Sequence, residues 1–281
     1  VPRPASRPSS DLNAGRPPSR LAGWLPACLI VSSLTLGTAS AACPGADFET
    51  RVEGLEHCLL MQRYGAAHPR TLVVWLHGDL PGGGPADYHL PLARETARRF
   101  EGRRVMSVAL LRPGYPDARG EASGGSHLGR SDHYTLANVD ELAGAIERLR
   151  ARFNPASVVA VGHAGGAASA AILLGRHPRV LDAAVLVSCP CDLVLWRMGR
   201  RYWGRSENPI LWTGQVRREA RVIALTGGRD FNTTPELAQS YVDVLRARGV
   251  EAHFRMLPQA DHDAAARSPE IQAAIGQLIE R

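Results

Sequence analysis

The sequence predicts an α/β protein: a mostly parallel, doubly wound sheet with helices on both faces and a small loop or cap insertion. Three observations predict it. Short apolar runs of strand length take turns with stretches of helical periodicity. The runs carry no polar alternation, as expected of strands covered on both faces. At 281 residues and 44% hydrophobic, the chain can bury a full core and needs no metal or disulfide merely to fold.

The elements follow in order. Thr71 to Leu76 is a continuous apolar run, as are Val105 to Leu111, Val158 to Val161, Ala183 to Val187 and Val222 to Leu225, and His253 to Leu257 suggests a last strand. Helical spacing occupies residues 90–100, 136–153, 167–174 and 235–248, with Asn154-Pro155 and Arg248-Gly249 as stops, and 269–279 reads as a closing helix. Two segments break the pattern. Residues 112–134 are glycine-rich and carry Tyr115, His127, His133 and Tyr134; residues 189–218 carry Trp196, Tyr202, Trp203 and Trp212. Both follow strands, and ligand sites of such sheets gather beyond the carboxyl ends of the strands. Tyr115, His133, Tyr134, Trp196 and Trp203 are therefore expected on a substrate-facing rim, with 189–218 as a candidate cap; ordinary surface loop is the alternative.

The first 41 residues read differently. Arg3, Arg7, Arg16 and Arg20 precede an apolar stretch from Leu21 to Leu36, followed by Ala39-Ser40-Ala41, the pattern of a secretory signal with its cleavage site. Pro26, Ser32, Ser33 and Thr35 interrupt a run already short for a membrane anchor. The expectation is a signal segment at 1–41, a single domain at 42–281, a secreted or periplasmic location and no stable membrane insertion. Cys28 leaves with the signal, so Cys43, Cys58, Cys189 and Cys191 form an even set suited to an oxidising compartment. Four cysteines allow three connectivities, of which the sequence-local one joins Cys43 to Cys58 and Cys189 to Cys191. Their spacing does not suit a zinc ribbon. A lipidated Cys43 would want a leucine-like residue where Ser40 stands.

The formal charge of +6 falls to about +3 without the signal's four arginines and Asp11, and the arginines are scattered rather than striped. No nucleic-acid partner is expected. Oligomeric state leaves no mark in the sequence.

The chemistry concentrates where Val158-Val159-Ala160-Val161 runs into Gly162-His163-Ala164-Gly165-Gly166 and a small-residue helix. This has the form of a nucleophile elbow, G-x-S-x-G, with alanine at the nucleophile position. A nucleotide-binding turn would want G-x-G-x-x-G near the start of the domain instead.

Four landmarks then stand in order, each just after a strand: His77-Gly78-Asp79, Gly162-His163-Ala164-Gly165-Gly166, Gly227-Gly228-Arg229-Asp230 and Asp261-His262-Asp263. In these the chain resembles the α/β-hydrolase superfamily over nearly all of residues 48–281, and looks similar to small secreted esterases and prolyl-oligopeptidase-like serine peptidases. The resemblance implies His262 as general base, Asp230 as the acid that orients it, and the backbone N–H groups of Asp79 and Gly165 as the oxyanion hole. It makes His77 a structural residue of its loop. Asp261 and Asp263 are poorer orienting acids, because neighbours in sequence reach the His262 ring badly. The implied reaction is hydrolysis of a small-molecule ester, an amide or a peptide bond through an acyl-enzyme, ester ahead of peptide, with no cofactor and no metal.

Ala164 departs from that pattern. A methyl group has no nucleophilic lone pair, so no acyl-enzyme forms there. The expectation is a serine hydrolase inactive through replacement of serine by alanine at 164, as when a substrate or product is to be trapped; the alternative is a natural non-catalytic ligand-binding relative. Ser169, one helical turn on, points away from the elbow and offers no substitute.

Overall fold

The computed structural model describes Cys43 and residues 45–279. The signal segment expected at 1–41 lies outside the described residues. Eight strands form one sheet: β1 (Arg51–Glu53), β2 (Cys58–Gly65), β3 (Thr71–Leu76), β4 (Val105–Leu110), β5 (Ser157–His163), β6 (Ala183–Val187), β7 (Arg221–Gly227) and β8 (Glu251–Leu257). Their spatial order is β1-β2-β4-β3-β5-β6-β7-β8. β1 and β2 run antiparallel to their neighbours and the other pairings are parallel.

Among the described residues seven α-helices accompany the strands, five between them, α1 (Leu90–Arg99), α2 (Leu136–Phe153), α3 (Gly165–Arg176), α4 (Leu193–Trp196) and α5 (Pro235–Ala247), and two after β8, α6 (His262–Ala265) and α7 (Pro269–Ile279). The lack of polar alternation in the central strands has its cause in their two-sided cover. Leu72, Val74 and Leu76 of β3 pack in the core beneath α2, α3 and α5, whereas Val73 and Trp75 pack in the core beneath α1 and α7. β4 and β5 divide the same way, Val108 and Ala160 to the first core, Ala109 and Val161 to the second.

The helix ends follow their local chemistry. Thr135 caps α2 by accepting the Asn138 N–H at 3.2 Å, and Asn154 closes it in the left-handed region at φ 45° before Pro155. Pro235 opens α5, and Gly249 at φ 83° turns the chain after it. β1 and β2 carry a weaker signal, since β1 has three residues and β2 buries Leu59, Leu60 and Met61 but leaves Gln62, Arg63 and Tyr64 half-exposed.

Two disulfides take the sequence-local pairing. Cys43–Cys58 ties the segment before β1 to the start of β2, and Cys189–Cys191 staples the turn after β6. Among the described residues no helix is long and apolar enough to cross a membrane.

Candidate active site

The elbow lies between β5 and α3, and its tightness dictates its residues. Ala164 holds φ 48° and ψ −114°, a conformation that L-residues avoid. Its N–H donates to the Val187 carbonyl at 2.9 Å, and its own carbonyl accepts from Ala168 at 3.0 Å, so the turn is pinned on both sides. A Cβ at Gly162 would overlap the Gly166 carbonyl, one at Gly166 the Leu76 carbonyl, and one at Gly165 the Asp79 carboxylate. The three glycines are therefore the condition for the helix start to approach both its own strand and the loop after β3. Ser169 donates to the Gly165 carbonyl at 2.9 Å and is buried, which leaves its hydroxyl spent within α3.

The loop after β3 is held by buried polar groups. The His77 Nδ1–H donates to the Gly78 carbonyl at 2.7 Å, and its Nε2 accepts the Arg112 N–H at 3.0 Å. Burial, then the nearby Arg112 guanidinium, holds this ring neutral, well below the usual histidine range. Asp79 is clamped from three sides: by the Arg112 guanidinium at 2.8 Å, the Tyr134 hydroxyl at 2.5 Å and His133 Nε2 at 3.3 Å. Burial alone would raise its pKa, but Arg112 and these donors outweigh it and the carboxyl sits far below the usual range. The Asp79 carboxylate is thus committed to Arg112, Tyr134 and His133; Asp79 and Gly165 both line the cavity, and neither N–H has a protein acceptor among the described residues.

A second chain of hydrogen bonds joins three loops. The Gly78 N–H donates to the Tyr88 hydroxyl at 2.6 Å, Tyr88 donates to His163 Nδ1 at 2.8 Å, and His163 Nε2–H reaches the His262 carbonyl at 3.2 Å. Burial, then the neighbouring His262, holds the His163 pKa at about 3, so this ring is a neutral connector.

On the far side, Asp230 follows β7 and His262 begins α6, with Asp230 Oδ2 2.8 Å from His262 Nδ1. Asp230 Oδ1 accepts the N–H groups of Asn232 at 3.0 Å and Thr233 at 2.9 Å, and Oδ2 also accepts the Thr233 hydroxyl at 2.8 Å. Burial raises the Asp230 pKa, but His262 and these donors bring it to about 2. For His262, burial pulls the pKa down, and the hydrogen bond and charge of Asp230 outweigh it, so the ring titrates above its ordinary 6.5. With Nδ1 committed to Asp230, Nε2 is the ring nitrogen left for chemistry. Asp261 instead caps α6, accepting the Ala264 N–H at 2.8 Å.

Ala164, Gly165, Asp79 and His262 all line one cavity of about 610 Å³, a size suited to a small molecule. Tyr134, Trp196 and Trp203 line it too. Tyr115 and His133, expected at the rim, do not: both are buried behind Asp79, where the Tyr115 hydroxyl donates to the Asp79 carbonyl at 2.8 Å and lies 3.0 Å from His133 Nε2. A buried ion pair demands satisfied partners, and this part of the 112–134 segment supplies them. Trp212 in the 189–218 segment lies against α3, with the Arg176 guanidinium 5.6 Å from its ring.

Tyr88, Arg112 and Thr233 were not singled out by the sequence. Arg112 carries a signal, a charge directly after an apolar strand; Thr233 carries a weaker one, three residues beyond Asp230 where turn hydroxyls fold back. The donor atoms of Glu56, His57 and Glu141 lie within 4.8 Å of one another. The Glu141 oxygens already accept the N–H groups of Leu55, Glu56 and His57, so the group is a turn clamp rather than a metal centre.

No family model matches the sequence, and no curated protein does. Solved structures match its fold. Est1E from Butyrivibrio proteoclasticus with ferulic acid bound is 12% identical, with a TM-score of 0.63 over 82% of this chain and 97% of that one. The Pyrococcus furiosus esterase Pf2001 is 17% identical, with a TM-score of 0.61 over 82% of this chain and 90% of that one. Acylaminoacyl peptidase from Pyrococcus horikoshii is 13% identical, with a TM-score of 0.60 over 81% of this chain but 39% of the peptidase.

Proposed function

We propose that this chain, whose fold is that of the α/β-hydrolases, is a serine hydrolase framework acting on carboxylic esters, amides or peptide bonds through an acyl-enzyme, with its nucleophile replaced at Ala164. The observation that carries the reading is the strained elbow at φ 48° and ψ −114°, which shares a cavity with the Asp230–His262 pair. Strain of this kind persists where the surroundings impose it, and it clusters at active sites.

In the serine form, His262 Nε2 takes the hydroxyl proton as Oγ attacks the carbonyl carbon. The proton then passes to the leaving group, and the acyl-enzyme is released by a water that His262 deprotonates. Asp230 stabilises the imidazolium and fixes the tautomer. The Asp79 and Gly165 N–H groups receive the developing oxyanion, helped by the amino end of α3. Asp79 can serve through its backbone because Arg112, Tyr134 and His133 occupy its carboxylate.

With alanine at 164 the chain forms no acyl-enzyme yet keeps the cavity, the amide donors and the base, so its residual capacity is to bind. That property also favours a second reading, a natural ligand-binding relative without turnover. Ester takes precedence over peptide as substrate. The two disulfides support export of the chain.

Ala164→Ser tests the reading: the variant should hydrolyse 4-nitrophenyl acetate where the parent chain shows no burst. Adding His262→Ala should lower that turnover about 10³-fold or more, because nucleophile and base act as one unit. Undiminished turnover in a folded double variant would remove His262 from the mechanism.

A further inference from the structure

The cavity carries fixed positive charge that the proposed chemistry does not use. Arg197, directly after α4, lies with its guanidinium carbon 5.0 Å from the ring centres of both Trp196 and Trp203, and those rings stand perpendicular to each other 5.0 Å apart. Its Nε donates to the Arg201 carbonyl at 2.8 Å, and Trp196 is itself tied by Nε1 to the Asn232 carbonyl at 2.9 Å. The guanidinium is thus oriented by two aromatic faces and one hydrogen bond, while its two terminal nitrogens have no carboxylate within ion-pair distance among the described residues. Asp132, an acid whose charge Arg197 feels, is already committed to the N–H groups of Arg205 and Ser206.

The balance of the wall points the same way. Arg130 and Arg267 also line the cavity, Arg130 with its guanidinium on the carbonyls of Leu80 at 3.0 Å and Gly84 at 2.6 Å, Arg267 exposed after α6. Of the two lining acids, Asp79 is neutralised by Arg112, leaving the exposed Asp263 against three arginines. A planar guanidinium whose two terminal nitrogens are free along one edge matches a carboxylate, and its setting between indole faces gives an adjoining apolar chain a surface to lie on.

We propose that the ligand of this cavity is an ester bearing a free carboxylate, with the carboxylate seated on Arg197 and the apolar part of the molecule against Trp196 and Trp203. The inference rests on reading the cavity as an ester site and adds the charge of the ester. Arg197 acts as a specificity residue, with Arg267 contributing at longer range through the field at the mouth of the cavity.

The chain as it stands, with alanine at 164, permits a binding measurement without turnover. Calorimetric titration compares phenyl hydrogen glutarate, an anionic hemiester, with phenyl pentanoate, its neutral counterpart of similar shape. The hemiester should bind about 10-fold or more tightly at low ionic strength, as expected of a charge-assisted bidentate contact. Arg197→Gln should abolish that advantage, and Arg197→Lys should restore part of it. Equal or weaker binding of the hemiester, no binding of either compound, or a preference that survives Arg197→Gln in a folded protein would overturn the proposal. The outcome is separate from the hydrolase reading, which stands or falls on Ala164→Ser: an active serine form without hemiester preference refutes the carboxylate site alone.

Discussion

At Ala164 the backbone holds a conformation whose cost is of the order of 1–3 kcal/mol for a residue with a Cβ. The methyl group there gains nothing from the arrangement. What the turn accomplishes is to lift the side chain at 164 out of the strand toward the cavity that His262 shares. The histidine's titration gives a test at this scale. The base must be neutral to accept a proton, and its pKa is raised above 6.5. In the Ala164→Ser protein, kcat/KM should therefore climb with pH with a midpoint above that value. Asp230→Asn removes the largest raising influence, while burial and the smaller pull of Asp263 and Asp79 remain, so the midpoint should move to lower pH as turnover falls; a pH–rate profile with an unmoved midpoint would separate the two residues. Ala164, Asp230 and His262 were legible as positions because each follows a strand in a fixed order. Tyr115 and His133 depart from the expected rim because loop aromatics look alike in sequence whether they face solvent or, as here, back a buried carboxylate.

The elements explain why small residues cluster where they do. Gly162 and Gly166 are required by close approach, the first to the start of α3 and the second to the end of β3. Gly166→Ala pushes a Cβ against a backbone carbonyl that has no room to retreat, and should cost about 2–3 kcal/mol, as other overpacked sites do. A denaturation midpoint lowered by that amount, with the fold retained by circular dichroism, is the expected result; a neutral substitution would mean that the two elements sit farther apart. The central strands were legible because both faces are buried and the apolar runs are continuous. β1 and β2 were not, since a sheet edge with half-exposed Gln62, Arg63 and Tyr64 dilutes the signal. The bracing by Tyr88 and Arg112 depends on loops meeting in space, which no local pattern encodes.

At the scale of the molecule, the sheet carries the elbow, the Asp79 loop and the Asp230–His262 pair at the carboxyl ends of its parallel strands, while the disulfides secure its antiparallel edge and the turn after β6. Material recovered after export should begin near Ala42. Opening the Cys43–Cys58 bridge, whose partners are 15 residues apart, should lower stability by about 3 kcal/mol by the loop-closure argument; intact mass and denaturant titration of the double serine variant check both. The central claim, that the whole framework for acyl transfer lacks one hydroxyl, is tested most directly by covalent labelling. The protein with alanine at 164 and its Ala164→Ser variant are treated with a fluorophosphonate and the adduct is located by peptide mass spectrometry. The account predicts no adduct on the first and a single adduct on the new serine at 164 in the second. A folded Ala164→Ser protein that stays unlabelled, under conditions where a reference serine hydrolase reacts fully, would contradict it.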